Sequence, residues 1–385
     1  MLTELASHIL LVANWESDVG YAWWLMENFW ATIAQYYRAQ NRRCTLIYPR
    51  VRALPPVIAN SPIEVVELDF SERSPDSRRR LRRLIRERHI GAAYLTDRPY
   101  LSTDYLELRR AGVRRIVVHD HSLKAEHPPA LPKRVLKGLL MRLPLVTADH
   151  YIGATSYICD RLIQVGRIPP HKCSCVANGI RPHGWSAATR ARYRQWLGVD
   201  EATTVVVSTG RADRLKGIDF IIRAAGELIH RRQLGKLLFV HCGDGPELAA
   251  FQGQVRELGL DRQFRFLGRR QDVRDLLSGC DVAIHASRGE IGYSLSILEY
   301  MDAGLVTFVP DRESVCGAIT HGEDGLVYRH DSIEDLADQL QRVLADRALF
   351  ERISANARST IRREYLLERT NAQLLSTLER CSFGG

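Results

Sequence analysis

Short apolar runs alternate along this chain with longer segments whose apolar residues recur at helical spacing. In the first half, residues 8–13, 44–48, 63–68, 92–95, 115–118 and 150–153 read as strands, and 23–40, 77–89, 105–111 and 158–165 read as helices. In the second half, 204–208, 237–241, 264–267, 282–285, 306–309 and 325–328 repeat the strand pattern, with helical segments between them. Strands alternating with helices predict parallel sheets covered on both faces. Two such blocks in succession predict an α/β chain of two Rossmann-like domains. Gly and Pro punctuate a loop over 178–184, where the blocks join. The closing segment, 365–378, sets Leu366, Leu367, Thr370, Leu374, Leu375 and Leu378 on one helical face.

Length agrees with that division, because 385 residues exceed what a single core usually supports. No run of about 18 apolar residues predicts a membrane-spanning helix. The apolar stretch 8–13 is short for a secretory leader and no basic residue precedes it, so it reads as a first buried strand. The eight cysteines are scattered. The only close pair, Cys173 and Cys175, has the wrong spacing for a zinc knuckle. A cytoplasmic chain is the expectation, peripheral on the membrane face if it docks there.

Charge separates the halves. Residues 1–180 hold 26 Lys and Arg against 17 Asp and Glu, whereas the remainder holds 28 of each. The net +9 therefore lies wholly in the first half, which should prefer an anionic partner such as a membrane surface or a phosphorylated acceptor. The excess is modest and no recognition motif accompanies it, so nucleic acid is not expected. Two basic amphipathic stretches stand out: 77–89, with Leu81, Leu84 and Ile85 on one face, and 131–145, which mixes Lys133, Arg134, Lys137 and Arg142 with leucines. The second is a candidate interfacial helix. Each reads equally well as a helix packed on its sheet with solvated arginines.

Ligands of open α/β sheets bind beyond the carboxyl ends of the strands. Three loops there carry chemistry. The first runs from Ser208 to Gly217, where Gly210 permits a tight turn and Arg211 and Lys216 suit a diphosphate. The second is Gly243-Asp244-Gly245-Pro246, whose glycines allow close backbone approach; it lacks the third glycine of a dinucleotide fingerprint. The third leaves the strand 282–285 and enters a largely buried helix. Ser294 is a candidate cap there, the free N–H groups near Leu295 and Ser296 make an anion site, and Glu299 follows one turn on. Read singly, these loops fit solvated cations or ordinary strand-to-helix turns as well. In the first half, His119, Asp120 and His121 form a polar cluster after a strand. Trp15, Tyr21, Trp23, Trp24, Phe29 and Trp30 offer aromatic faces for sugars or for a core helix.

Taken in order, Ala148-Asp149 with Ala154-Thr155-Ser156, Asn178-Gly179-Ile180, Gly210-Arg211 with Lys216-Gly217, Gly243-Asp244-Gly245-Pro246, Phe266-Leu267-Gly268, Asp281-Val282, Glu290 to Glu299, Ala303-Gly304 and Gly322-Glu323-Asp324-Gly325-Leu326 span nearly the whole chain. The set resembles family 4 of the retaining glycosyltransferases with the GT-B fold, of the bacterial surface-polysaccharide and lipid-linked glycan type. The resemblance implies an acceptor-binding domain over 1–180, a nucleotide-sugar domain over 181–362 facing it across a cleft, and a final helix over 363–385 that crosses back. It implies that Arg211 and Lys216 hold the donor diphosphate, Glu299 the ribose and Glu290 the sugar hydroxyls. Gly210, Gly243, Gly245, Gly292, Tyr293, Ser294, Leu295 and Ser296 would complete the donor site, with Gly20 in the loop after the first strand. His119 would face the reacting carbon, with Asp120, His121, Trp15 and Tyr21 toward the acceptor. Retention, no metal and no cofactor beyond the nucleotide-sugar substrate are further expectations, with a glycan or lipid-linked oligosaccharide as acceptor. Other GT-B activities (a nucleotide-sugar epimerase or a phosphorylase) and a silent sugar-nucleotide binder are the alternatives. One departure stands out: the family places seven residues between its two glutamates, and here eight separate Glu290 from Glu299. A slip of one residue inside a helix would rotate Glu290 by about 100°.

Overall fold

The computed structural model describes residues 8–19, 23–123 and 130–383. Two compact units divide the chain, Met1–Ala177 with Thr370–Gly385, and Asn178–Arg369.

The N-terminal unit is built on β1 (His8–Val12), β2 (Arg43–Tyr48), β3 (Ile63–Glu67), β4 (Ile90–Thr96), β5 (Arg115–Asp120), β6 (His150–Gly153) and β7 (Cys173–Cys175). They pair in the order β3-β2-β1-β4-β5-β6-β7, parallel throughout. The central strands β1 and β4 are buried along their whole length, as strands covered on both faces must be. The edge strand β7 escapes the sequence pattern because Cys-Ser-Cys offers no apolar run and none of its residues is buried.

The two basic amphipathic stretches part company here. The helix Pro75–Glu87 is capped by Ser74, whose Oγ accepts from the Ser77 N–H at 3.2 Å, and buries Leu81 and Ile85. Its arginines are spent locally: Arg78 pairs with Asp104 at 2.6 Å and Arg82 with Glu107 at 3.4 Å. The helix Leu131–Leu140 buries none of its residues. The last helix, Leu367–Arg380, buries Leu374 and Leu378, and Asn28 Nδ2 donates to Asn371 Oδ1 at 2.9 Å. No helix among the described residues is long and apolar enough to cross a membrane.

The C-terminal unit carries β8 (Thr204–Thr209), β9 (Leu237–Cys242), β10 (Phe264–Phe266), β11 (Val282–Ile284), β12 (Val306–Pro310) and β13 (Leu326–Tyr328). Their order is β10-β9-β8-β11-β12-β13, again all parallel. Aromatic pairs pack its core: Phe239 stacks on Phe264 at 5.9 Å and Phe220 on Tyr328 at 5.5 Å. In each sheet the strand order reverses beside the first strand, between β1 and β4 and between β8 and β11. The loops leaving those strands flank the crevice where such sheets bind ligands.

Candidate functional site

The loops after β8 and β11 meet at the reversal point of the C-terminal sheet. Gly210 follows β8 with φ +144, a conformation that L side chains rarely adopt. The chain then turns through Arg214–Lys216, where Asp213 Oδ1 accepts from the Lys216 N–H at 3.2 Å. The partner loop docks on this turn. The Arg288 N–H donates to the Leu215 carbonyl at 2.7 Å, and the Arg288 guanidinium grips both oxygens of Asp219 at 3.1 and 2.7 Å.

This docking brings Lys216 onto Glu290. The Lys216 ammonium donates to Glu290 Oε1, and His285 Nε2 lies 3.1 Å from the same oxygen. Glu290 is only 9% exposed. Burial pushes its carboxyl up, but the His285 hydrogen bond and the Lys216 charge outweigh burial and hold it at about 2. His285 also lies 3.5 Å from Ser294 Oγ. Ser294 caps the helix Leu295–Ala303 by accepting from the Ile297 N–H at 3.4 Å, as its residue type predicts. The N–H groups of Leu295 and Ser296 fall in the first turn, which has no intrahelical acceptors. Glu299 is buried on this helix at 4% exposure, and Tyr300 fixes the helix to the end of β8 by accepting from the Thr209 N–H at 2.6 Å. Arg211 is exposed and lies 3.8 Å from Asp213.

Glu290 stands in the loop, five residues before the helix. The extra residue between the two glutamates is therefore absorbed by the loop and rotates nothing. His285 is the functional candidate that sequence reasoning passed over. It closes the apolar run 282–285, and only its partner Glu290 reveals that it points polar contacts into the site.

The glycines after β9 let the chain approach its own backbone. A Cβ on Gly243 would lie 1.7 Å from the Gly210 carbonyl oxygen, and one on Gly245 2.5 Å from that of Ala212. The Gly210 N–H donates to Cys242 at 3.0 Å and the Ala212 N–H to Asp244 at 2.9 Å. These glycines let two loops of the chain itself pack backbone to backbone, which fixes the Lys216 turn. At the end of β9, His241 is buried, bonded to Ser208 Oγ at 2.8 Å and held down at about 4 by burial. Gly292 joins the next turn, donating to Ser314 at 2.7 Å. The Tyr293 hydroxyl donates to the Asn178 carbonyl at 3.0 Å, so its side chain braces the start of this unit.

In the N-terminal unit His119, the penultimate residue of β5, is fully buried. Tyr94 OH lies 2.5 Å from its Nδ1, Phe29 stacks on it at 5.3 Å, and the His121 ring centre is 4.1 Å away. Burial first, and His121 second, push its imidazole well below the ordinary range, so it is neutral. Its Nε2 is buried without a hydrogen-bond partner among the described residues. Asp120 is engaged within its own unit. Its carboxylate is fully buried and accepts from Tyr100 OH at 2.6 Å, Ser122 Oγ at 2.5 Å and Arg161 at 3.3 Å, an anchor for the loop after β5. The His121 N–H donates to Asp97 Oδ1 at 2.5 Å. Trp15 is exposed and packs on Trp23 at 5.7 Å, whereas Phe29 and Trp30 are core. Gly20 and Tyr21 lie outside the described residues. Sequence reasoning also passed over Glu27, which lines a small cavity with Trp15, Trp23, Trp30 and Tyr48; burial pushes its carboxyl up to about 7.

Comparison with known proteins agrees with this architecture over both units. The family model for group 1 glycosyl transferases matches residues 189–360, and that for glycosyltransferase family 4 matches residues 26–183. The chain is 27% identical to alpha-D-kanosaminyltransferase of Streptomyces kanamyceticus over 77% of its own length and 78% of that enzyme. It is 30% identical to a D-inositol 3-phosphate glycosyltransferase of Corynebacterium aurimucosum, over 40% of its length and 38% of that enzyme, so it spans well under half of that relative. Anabaena HepE, solved in complex with UDP, shares the fold with a TM-score of 0.75 at 21% identity, over 97% of this chain and all of that one. Matched by glycosyltransferase models along both of its parallel Rossmann-like sheets, the chain belongs to the glycosyltransferases of the GT-B fold.

Proposed function

We propose that the chain transfers a sugar from a nucleoside-diphosphate donor to a glycan or lipid-linked acceptor, with retention at the anomeric carbon and without a metal ion. The observation that carries this reading is the Lys216–Glu290–His285 cluster beside the capped start of the helix Leu295–Ala303. A departing diphosphate needs positive charge where its negative charge develops. Lys216, Arg211 and the first-turn N–H groups of Leu295 and Ser296 supply it, without a Lewis acid. Glu290 stays ionised at any ordinary pH and accepts hydrogen bonds from donor-sugar hydroxyls. Glu299 takes the ribose hydroxyls. The acceptor hydroxyl attacks on the face the diphosphate leaves and passes its proton to the departing phosphate oxygen. A uridine nucleotide is the first base to try, since the similar Anabaena structure holds UDP.

The test incubates the chain with a panel of nucleotide sugars and lipid-linked or soluble glycan acceptors, with and without EDTA. Proton couplings of the product report the anomeric configuration. The reading predicts a product with the donor's configuration at a rate that EDTA leaves unchanged. An inverted product, or activity abolished by EDTA and restored by a divalent ion, contradicts it.

A further inference from the structure

A second surface of the N-terminal unit is shaped for a partner other than a sugar nucleotide. On the helix Leu131–Leu140, Leu131, Val135, Leu136 and Leu139 are 73%, 60%, 57% and 57% exposed, and Leu143 and Leu145 extend the run at 48% and 56%. Single exposed leucines are ordinary, but a contiguous stripe of them marks an interaction surface. Beside the stripe, a groove of about 910 Å³ opens between this helix and residues 163–172. Arg134, Arg142, Arg167, His171 and Lys172 line it, together with Leu139 and Ile168, and no carboxylate among the described residues does. Arg167 holds a left-handed backbone, φ +60, and its buried Nε has no partner among the described residues. The contrast with the helix Pro75–Glu87 is direct, since there the arginines Arg78 and Arg82 are spent on Asp104 and Glu107.

We propose that this face docks on a lipid bilayer carrying anionic phospholipid. The leucine stripe enters among the acyl chains, and Arg134, Arg142, Arg167 and Lys172 take headgroup phosphates. Charge complementarity selects this occupant. A bilayer surface supplies apolar depth and fixed negative charge together, and basic residues on the polar flank of an apolar helix match both. A second copy of the chain on the same two-fold face would set these arginines against one another, which is repulsive. The inference does not rest on sugar transfer and holds whatever the acceptor is.

The test sediments the full chain with vesicles of phosphatidylcholine alone and of phosphatidylcholine mixed with phosphatidylglycerol. We expect partition onto the anionic vesicles to exceed that onto neutral ones by about tenfold or more. Arg134→Ser with Arg142→Ser removes two surface cations and should weaken anionic binding by about fivefold for each. Leu136→Glu with Leu139→Glu should abolish binding to both vesicles. Because all four side chains lie outside the buried core, circular dichroism and thermal unfolding of both double variants should match the parent, which separates lost docking from lost folding. Equal partition onto both vesicles, or full binding by either double variant, overturns the proposal. So does a shift from dimer to monomer in the leucine variant by sedimentation velocity, which would give the face to a second copy.

Discussion

Both units place a polar cluster at the carboxyl ends of parallel strands, yet the two clusters have opposite electrostatics. His119 in the N-terminal unit is walled by Phe29, Tyr94 and His121 and has lost its charge to burial. Glu290 in the C-terminal unit is about as secluded, but Lys216 and His285 keep it ionised. Burial alone therefore does not decide protonation; the nearest partners do. One fold plan thus yields a neutral, aromatic surrounding for one polar side chain and a charged surrounding for the other.

The largest expected effect comes from erasing the charge on the donor side. Lys216→Ala should lower kcat by roughly 10²- to 10³-fold, the range for loss of one group that stabilises charge developing in the transition state. Steady-state rates check this, and an equal loss in kcat/KM would place the contact in the transition state. Next comes the loop packing that positions Lys216. Gly243→Ala puts a methyl into the Gly210 carbonyl and should destabilise the C-terminal unit by about 3 kcal/mol. Thermal or denaturant unfolding reads that loss.

Glu290 and Glu27 should titrate in opposite senses. Glu290 has a folded pKa of about 2, below its ordinary 4.5. Its stabilising contribution is full above pH 4.5 and fades as pH falls toward 2. Glu290→Gln should remove that acid-side slope from unfolding curves. Glu27 has a folded pKa of about 7, above 4.5. The native state holds its proton more tightly, so stability is lost as pH rises from about 4.5 to 7 and levels off above. Glu27→Gln should flatten that window, the smallest of these effects.

Much of the fold was legible because buried parallel strands read as apolar runs whatever their tertiary partners. The runs at 44–48 and 306–309 each fall inside an observed strand. β7 was not legible, since an edge strand of Cys-Ser-Cys needs no apolar face. In the site, Ser294 was legible as a cap because capping is a local property of residue type. His285 was not, because its role rests on Glu290 folding back onto it, a contact set by loop geometry. The glycines at 243 and 245 are legible as points of close backbone approach, but the approach to the 210–212 backbone is set by packing that sequence does not show. The partners of Asp120 were not legible either, since Tyr100 and Arg161 lie 20 and 41 residues distant. Sequence shows which residues are chemically able. Only packing shows which are already engaged.

The proposed hold of Lys216, bridged to Glu290, on the donor diphosphate is read by calorimetric titration of the parent chain, Lys216→Ala and Glu290→Gln with UDP and other nucleoside diphosphates in EDTA. The parent should bind one nucleotide whether or not EDTA is present. Affinity should fall at least tenfold in Lys216→Ala, the loss expected of one charge-assisted contact of about 1.5–3 kcal/mol. Glu290→Gln should retain nucleotide binding, because its partner is the sugar. Undiminished nucleotide affinity in Lys216→Ala would contradict the claim.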